Sequence, residues 1–109
     1  MNLSIAYSPC PNDTFIFDAL AHQKIDTEGL TFDIIHGDVE TLNREAMDGN
    51  YDITKLSYHA FAYMSNQYQL LTAGSALGRG CGPLMISKDE IPRSKIEFCL
   101  IGIPGRLTT

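Results

Sequence analysis

The sequence predicts an α/β layered domain with a largely parallel sheet. Three observations carry that expectation. Apolar alternating runs and segments of helical periodicity follow one another in the order β-α-β-α-β from residue 3 to residue 57. Glycine, proline or a capping side chain punctuates nearly every junction. Hydroxyl and amide side chains recur just after the expected strands, at the sheet edge where open α/β sheets bind ligands.

Leu3–Tyr7 alternates as a short strand. Ser8-Pro9-Cys10-Pro11 follows, and its two prolines hold an extended loop. Asn12, Asp13 and Thr14 are each able to cap a helix running from Thr14 to His22, with Phe15 and Ala19, and Ile16 and Leu20, paired as its core face. The same stretch reads equally well as a rigid capped turn with no ligand.

Gly29 precedes a second strand, Leu30–Ile35. Asp38 then caps a helix with Val39, Leu42 and Ala46 on one face, and Gly49 is a natural stop. Asn43 borders that apolar stripe, placed either to reach a ligand or to bond a neighbouring backbone. Tyr51, Ile53, Thr54 and Leu56 form a β-type run that ends on Ser57. Ser57 caps a helix over 58–66, which carries Ala60, Phe61 and Met64 on one face. This strand-to-helix junction is the expected centre of a ligand cleft.

Two further strands, Tyr68–Ala73 and Leu84–Ser87, flank the glycine-rich segment Gly74–Pro83. That segment has no Gly-Lys-Ser/Thr and no G-x-G-x-x-G between a strand and a helix, so it is neither a Walker loop nor a dinucleotide fingerprint. Arg79 within it is either a carboxylate partner or a surface arginine. Lys88–Lys95 is a charged, proline-broken loop. Phe98–Ile103 reads as a buried strand, and Pro104–Thr109 as a turn leading to a helix N-terminus. The sequence stops at that cap, and the expectation is that it is the front part of a longer protein.

Composition narrows the function. Of 109 residues, 44% are hydrophobic and 19% charged, ordinary proportions for a globular domain. Eight Lys plus Arg against thirteen Asp plus Glu give a net charge of −5, and the basic residues are scattered. Nucleic-acid binding therefore has little electrostatic support. No apolar run is long enough to span a membrane and no signal peptide is legible, so a cytoplasmic location is expected. Cys10, Cys81 and Cys99 lack C-x-x-C spacing, and His22, His36 and His59 lack metal-ligand spacing, so no metal is expected. Cys10 sits where either a reactive thiol or simple packing fits. His59 follows Ser57 on a helix rather than across a cleft, and no nucleophile–base pair is evident. The polar groups are more informative together. Ser8, Asn12, Ser57, Thr108 and Thr109 all follow expected strands, and Lys55 adds a charge if it faces the cleft.

The stretches Ser8-Pro9-Cys10-Pro11-Asn12-Asp13-Thr14-Phe15, Asp38–Asn43, Thr54-Lys55-Leu56-Ser57-Tyr58, Gly74–Pro83 and Pro104-Gly105-Arg106 with Thr108-Thr109 together resemble the 1,4-dihydroxy-6-naphthoate synthase family of menaquinone biosynthesis. The resemblance implies a fold like the type II periplasmic binding proteins, with two three-layer α/β lobes about a cleft. In that scheme residues 1–95 are a first lobe that needs a returning C-terminal segment. Residues 96–109 are a crossover strand and turn that open a second lobe. It implies conversion of cyclic dehypoxanthinyl futalosine to 1,4-dihydroxy-6-naphthoate without metal or organic cofactor. It also implies substrate contacts from Lys55, Leu56, Ser57, Thr108 and Thr109, with Ser8, Asn12 and Asn43 as candidate cleft-lining residues. The family's proton-abstracting histidine is expected beyond Thr109, which leaves this chain alone inactive and its strand 98–103 open to self-association. Two other readings share the fold: a non-catalytic solute-binding lobe, and the chorismate dehydratase of the same pathway.

Overall fold

The computed structural model describes residues 1–80, 82 and 84–108. Three parallel strands, β1 (Asn2–Tyr7), β2 (Thr31–His36) and β3 (Ile53–Thr54), lie in the order β2-β1-β3. The N-terminal strand is therefore the centre of the sheet. It pairs with β2 from Asn2↔Thr31 to Tyr7↔His36, and with β3 through Ile5↔Ile53 and Ala6↔Thr54. The Lys55 N–H continues that second ladder by donating to the Ala6 carbonyl at 2.8 Å.

Side chains alternate across a strand, and here the alternation recruits a different helix to each face. Tyr7 meets Phe17 of α1 (Pro11–Ala21), ring centroids 4.7 Å apart. Ala6 points the other way. It joins Leu42 and Ala46 of α2 (Val39–Met47), Tyr51, and Ala60 and Met64 of α3 (Tyr58–Met64) in the buried core. Helices thus cover both faces of a small parallel sheet, the α/β layering expected from the sequence.

Local chemistry sets the helix ends. Asp38 accepts from the Thr41 N–H at 3.0 Å and caps α2. At the other end Gly49 takes φ +73° and donates to Ala46 O at 3.0 Å, the left-handed stop that glycine adopts without strain. Helix α1 corrects the expected boundary. It begins at Pro11 rather than Thr14, because proline at the first helical position gives up only an N–H that would be unpaired anyway. Its expected core face is also corrected: Phe15 is 85% exposed, and Phe17 makes the contact with the sheet.

The second half of the chain departs most from expectation. Tyr68–Ala73, Leu84–Ser87 and Phe98–Ile103 are not strands. Arg93–Phe98 forms a 3-10 helix instead, where a loop and the opening strand of a second lobe were expected. Apolar alternation does not hold a strand by itself, since a ladder needs a neighbour for its N–H and C=O groups. Among the described residues no strand offers one, and Leu84, Ile86, Phe98 and Leu100 stand exposed. The radius of gyration, 17.1 Å, reflects this extension; a compact domain of this length comes to roughly 13 Å. Among the described residues no helix is long and apolar enough to cross a membrane.

Leu42 is 1% exposed and sits between sheet and helices. Leu42→Ala is expected to destabilise the fold by about 2–5 kcal/mol, read as a lowered urea midpoint at unchanged slope.

Candidate functional site

The site is built where β3 hands the chain to α3. Ser57 has extended backbone angles, and its hydroxyl accepts from the Ala60 N–H at 3.1 Å, so the serine caps α3 as the sequence suggests. The fully buried Asn43 of α2 reaches the same residue. Its Oδ1 accepts from the Ser57 N–H at 3.3 Å, while its Nδ2 donates to Ser57 Oγ at 3.4 Å and to the Leu107 carbonyl at 3.3 Å. The Ser57 hydroxyl donates to that same carbonyl. Asn43 therefore bonds backbone and hydroxyl groups of the fold, the second of the two roles open to it.

The turn around Leu107 is held from a third side. Its N–H donates to Glu40 Oε2 at 3.1 Å, and its side chain packs on the core. Thr108 folds back to donate its hydroxyl to Gly105 O at 3.0 Å. Gly105 lies against α2 so closely that a Cβ there would stand 2.8 Å from Glu40 Cβ. Only glycine lets the turn approach the helix.

A second polar group sits at the end of β1. Asp13, in the first turn of α1, is 5% exposed. Its Oδ2 accepts from the Ser8 hydroxyl at 2.8 Å and its Oδ1 from the Lys55 ammonium at 2.7 Å. Burial pushes the Asp13 carboxyl up, but the Lys55 and Ser8 hydrogen bonds and the Lys55 charge outweigh it and hold the group below its ordinary value. Lys55 is thus the partner of a buried carboxylate, at the carboxyl end of the sheet.

These groups border one cavity of about 860 Å³. Ser8, Asn12, Lys55, Leu56, Ser57 and Thr108 line it, over a floor that includes Leu42, Tyr51, Phe61 and Tyr68. Six of the eight residues singled out in the sequence therefore share a hollow. Asn43 lies behind Ser57, and Thr109 is outside the described residues. His22, His36, His59 and Arg79 do not line the hollow. His22 bonds Asp18, His36 packs edge-on to Tyr7, and His59 edge-on to Tyr63. Cys10 lines the cavity half-buried. Among the described residues no group of three His, Cys, Asp or Glu side chains is placed to hold a metal ion.

Comparison with known proteins gives this geometry a lineage. A family model described as menaquinone biosynthesis matches residues 3–109. The chain belongs to that family. Over 107 residues, 98% of its length, the chain is 45% identical to a Thermus thermophilus protein named 1,4-dihydroxy-6-naphthoate synthase and covers 38% of that protein. It is 46% identical to a Streptomyces coelicolor protein of the same name over an equal span, 37% of that protein. The chain thus spans less than two-fifths of the length of these curated relatives. A crystal structure of an Archaeoglobus fulgidus protein superposes on 83% of the chain with a TM-score of 0.75 at 39% identity, covering 34% of that protein.

In this member of the menaquinone biosynthesis family, sequence reasoning missed Asp13 as a site residue. Its residue type and place point only to a helix cap, whereas the cap position is Cys10, which makes no side-chain bond. The available signal was an acidic residue inside a proline-started first turn, with Lys55 at the end of a neighbouring strand.

Asn43→Ala leaves the Ser57 N–H and the Leu107 carbonyl short of partners, and a loss of about 1–3 kcal/mol is expected, measured by urea unfolding. Acid should weaken the fold in a defined direction. The native value of Asp13 is depressed, so its contribution is complete above the unfolded-state value of about 3.9 and disappears as pH falls through the native one. Asp52, held low by the Ser4 N–H and hydroxyl, acts in the same sense. Thermal melts should therefore fall below about pH 4, and less steeply in Asp13→Asn.

Proposed function

We propose that this chain forms one wall of the substrate cleft of a 1,4-dihydroxy-6-naphthoate synthase, a cytoplasmic lyase that converts cyclic dehypoxanthinyl futalosine to 1,4-dihydroxy-6-naphthoate in menaquinone biosynthesis. The identity of 45% and 46% to two synthases, over 98% of the chain, carries the reading. The name those relatives bear favours the lyase over a solute-binding lobe and over the chorismate dehydratase. A hollow at the carboxyl ends of parallel strands supports it, because that is where α/β sheets hold ligands.

In this reading Lys55, Leu56, Ser57, Thr108 and Thr109 bind the substrate, and Ser8 and Asn12 border it. The apolar floor of Tyr51, Phe61 and Tyr68 suits its ring system. The architecture is that of a type II periplasmic binding protein. Residues 1–95 belong to a first lobe and residues 96–109 to the crossover into a second. The proton-abstracting histidine faces the substrate from that second lobe, since His22, His36 and His59 all lie away from the hollow. A general base accounts for roughly 10²- to 10⁴-fold in rate, and loss of half the orienting surface removes more. In this reading residues 1–109, taken without a second lobe, do not turn over substrate. Its exposed Phe98, Leu100, Ile101 and Ile103 would favour self-association of the isolated chain.

The whole gene product, incubated with cyclic dehypoxanthinyl futalosine, should release 1,4-dihydroxy-6-naphthoate, detected by liquid chromatography. Absence of that product rules the reading out. Ser57→Ala in the same protein should lower kcat/KM by roughly tenfold or more, because the hydroxyl that caps α3 and holds the Leu107 turn at the cavity wall is lost.

A further inference from the structure

Lys55 is the one cationic side chain among the described residues that line the cavity. Its ammonium carries three N–H groups, and Asp13 Oδ1, at 2.7 Å, takes one of them. Among the described residues it has no other side-chain partner. Asp13 itself is fully committed in the opposite sense, with one oxygen on Lys55 and the other on the Ser8 hydroxyl at 2.8 Å. The two charges come from positions 42 residues apart and meet at the sheet edge.

A buried pair of this kind is a poor way to gain stability, because desolvation of both ions offsets their attraction, and apolar replacements often serve as well. It is a good way to fix a direction. A lysine stem has four rotatable bonds, and an ammonium tethered by a buried carboxylate no longer wanders among them. The Lys55 side chain remains 23% exposed against 7% for Asp13, and both residues line the hollow. The other acid at the wall, Asp52, is already taken by the Ser4 N–H and hydroxyl, each at 2.8 Å.

We propose that Asp13 is a positioning residue: it aims the Lys55 ammonium into the hollow so that the remaining N–H groups receive a carboxylate carried on an aromatic ring of the ligand. The assignment rests on the cavity being the substrate site of the proposed synthase. The aromatic carrier follows from the floor of Tyr51, Phe61 and Tyr68 beside the charge. Ser8 acts one step behind, locking the far oxygen of Asp13.

The test uses the whole gene product labelled with ¹⁵N in its lysines, with the Lys55 ammonium signal followed by NMR. Benzoate is the probe, and benzyl alcohol and inorganic phosphate are the controls. The wild type should show a resolved Lys55 ammonium signal that moves on adding benzoate and moves little with either control. Asp13→Asn should broaden that signal and weaken benzoate by roughly tenfold, because binding must then order an untethered ammonium. Asp13→Glu should restore part of the affinity, which a purely structural role does not predict. If Asp13→Asn fails to fold, Lys55→Met, followed through backbone amides, must lose the preference for benzoate over benzyl alcohol by the same factor. Unchanged benzoate affinity in Asp13→Asn or Lys55→Met overturns the proposal, as does an equal response to phosphate. A Lys55 signal that ignores benzoate while the whole gene product forms naphthoate overturns this assignment and leaves the synthase reading standing. A response to benzoate with no naphthoate formed does the reverse.

Discussion

The arrangement depends on one buried side-chain amide. Asn43 has no exposed surface, and a polar group in that position costs a few kcal/mol unless its donors and acceptor are met. It meets them with three groups from two other parts of the chain: the N–H and hydroxyl of Ser57 and the carbonyl of Leu107. The same amide that satisfies itself therefore fixes where α3 begins and where the last turn of the chain lies. Apolar contact between Leu42, Ala46, Ala60 and Met64 brings the helices together without direction. The amide supplies the register, and the hydroxyl and threonine at the cavity wall inherit their positions from it.

The two polar clusters of the cavity differ in kind. Around Ser57 every partner is neutral, with Glu40 bonding only the Leu107 N–H beyond it, and the result is a splice between segments. Around Asp13 the bonds are charged and short, and Ser8, Asp13 and Lys55 all border the hollow. A chain with a net charge of −5 spends the one buried carboxylate among its described residues to hold a single cation at the mouth of an apolar floor. Such an economy of charge favours recognition by geometry over general electrostatic attraction.

Much of the first half was legible in the sequence because its signals were local. Asp38, Gly49 and Ser57 each do at one helix end what their residue types predict. The gathering of Ser8, Asn12, Lys55 and Ser57 followed from parallel strands, which place every strand-to-helix junction at one edge, whereas Thr108 reaches the hollow on a turn with no strand before it. What failed was non-local. Phe15 and Phe17 have equal claim to the core by composition, and only the position of Tyr7 selects the second. Leu84–Ser87 and Phe98–Ile103 carry β-type residues, yet a strand is a relation between two segments and the described residues supply no second one. Asp13 was hidden for a related reason, since its partner lies 42 residues away and nothing in the local pattern names it.

The central position of β1 has a consequence for how the chain is made. Its nearest tie to β2 spans 29 residues and its tie to β3 spans 48. Strand β1 leaves the ribosome before both of its partners, so its backbone is satisfied on both sides only once β3 has followed. Ile5, Ala6 and Tyr7 must wait, apolar and unpaired, for two later strands to arrive. Such wide loop closures slow folding, and they mark the N-terminal strand as the part of a nascent chain for which a chaperone has most to do.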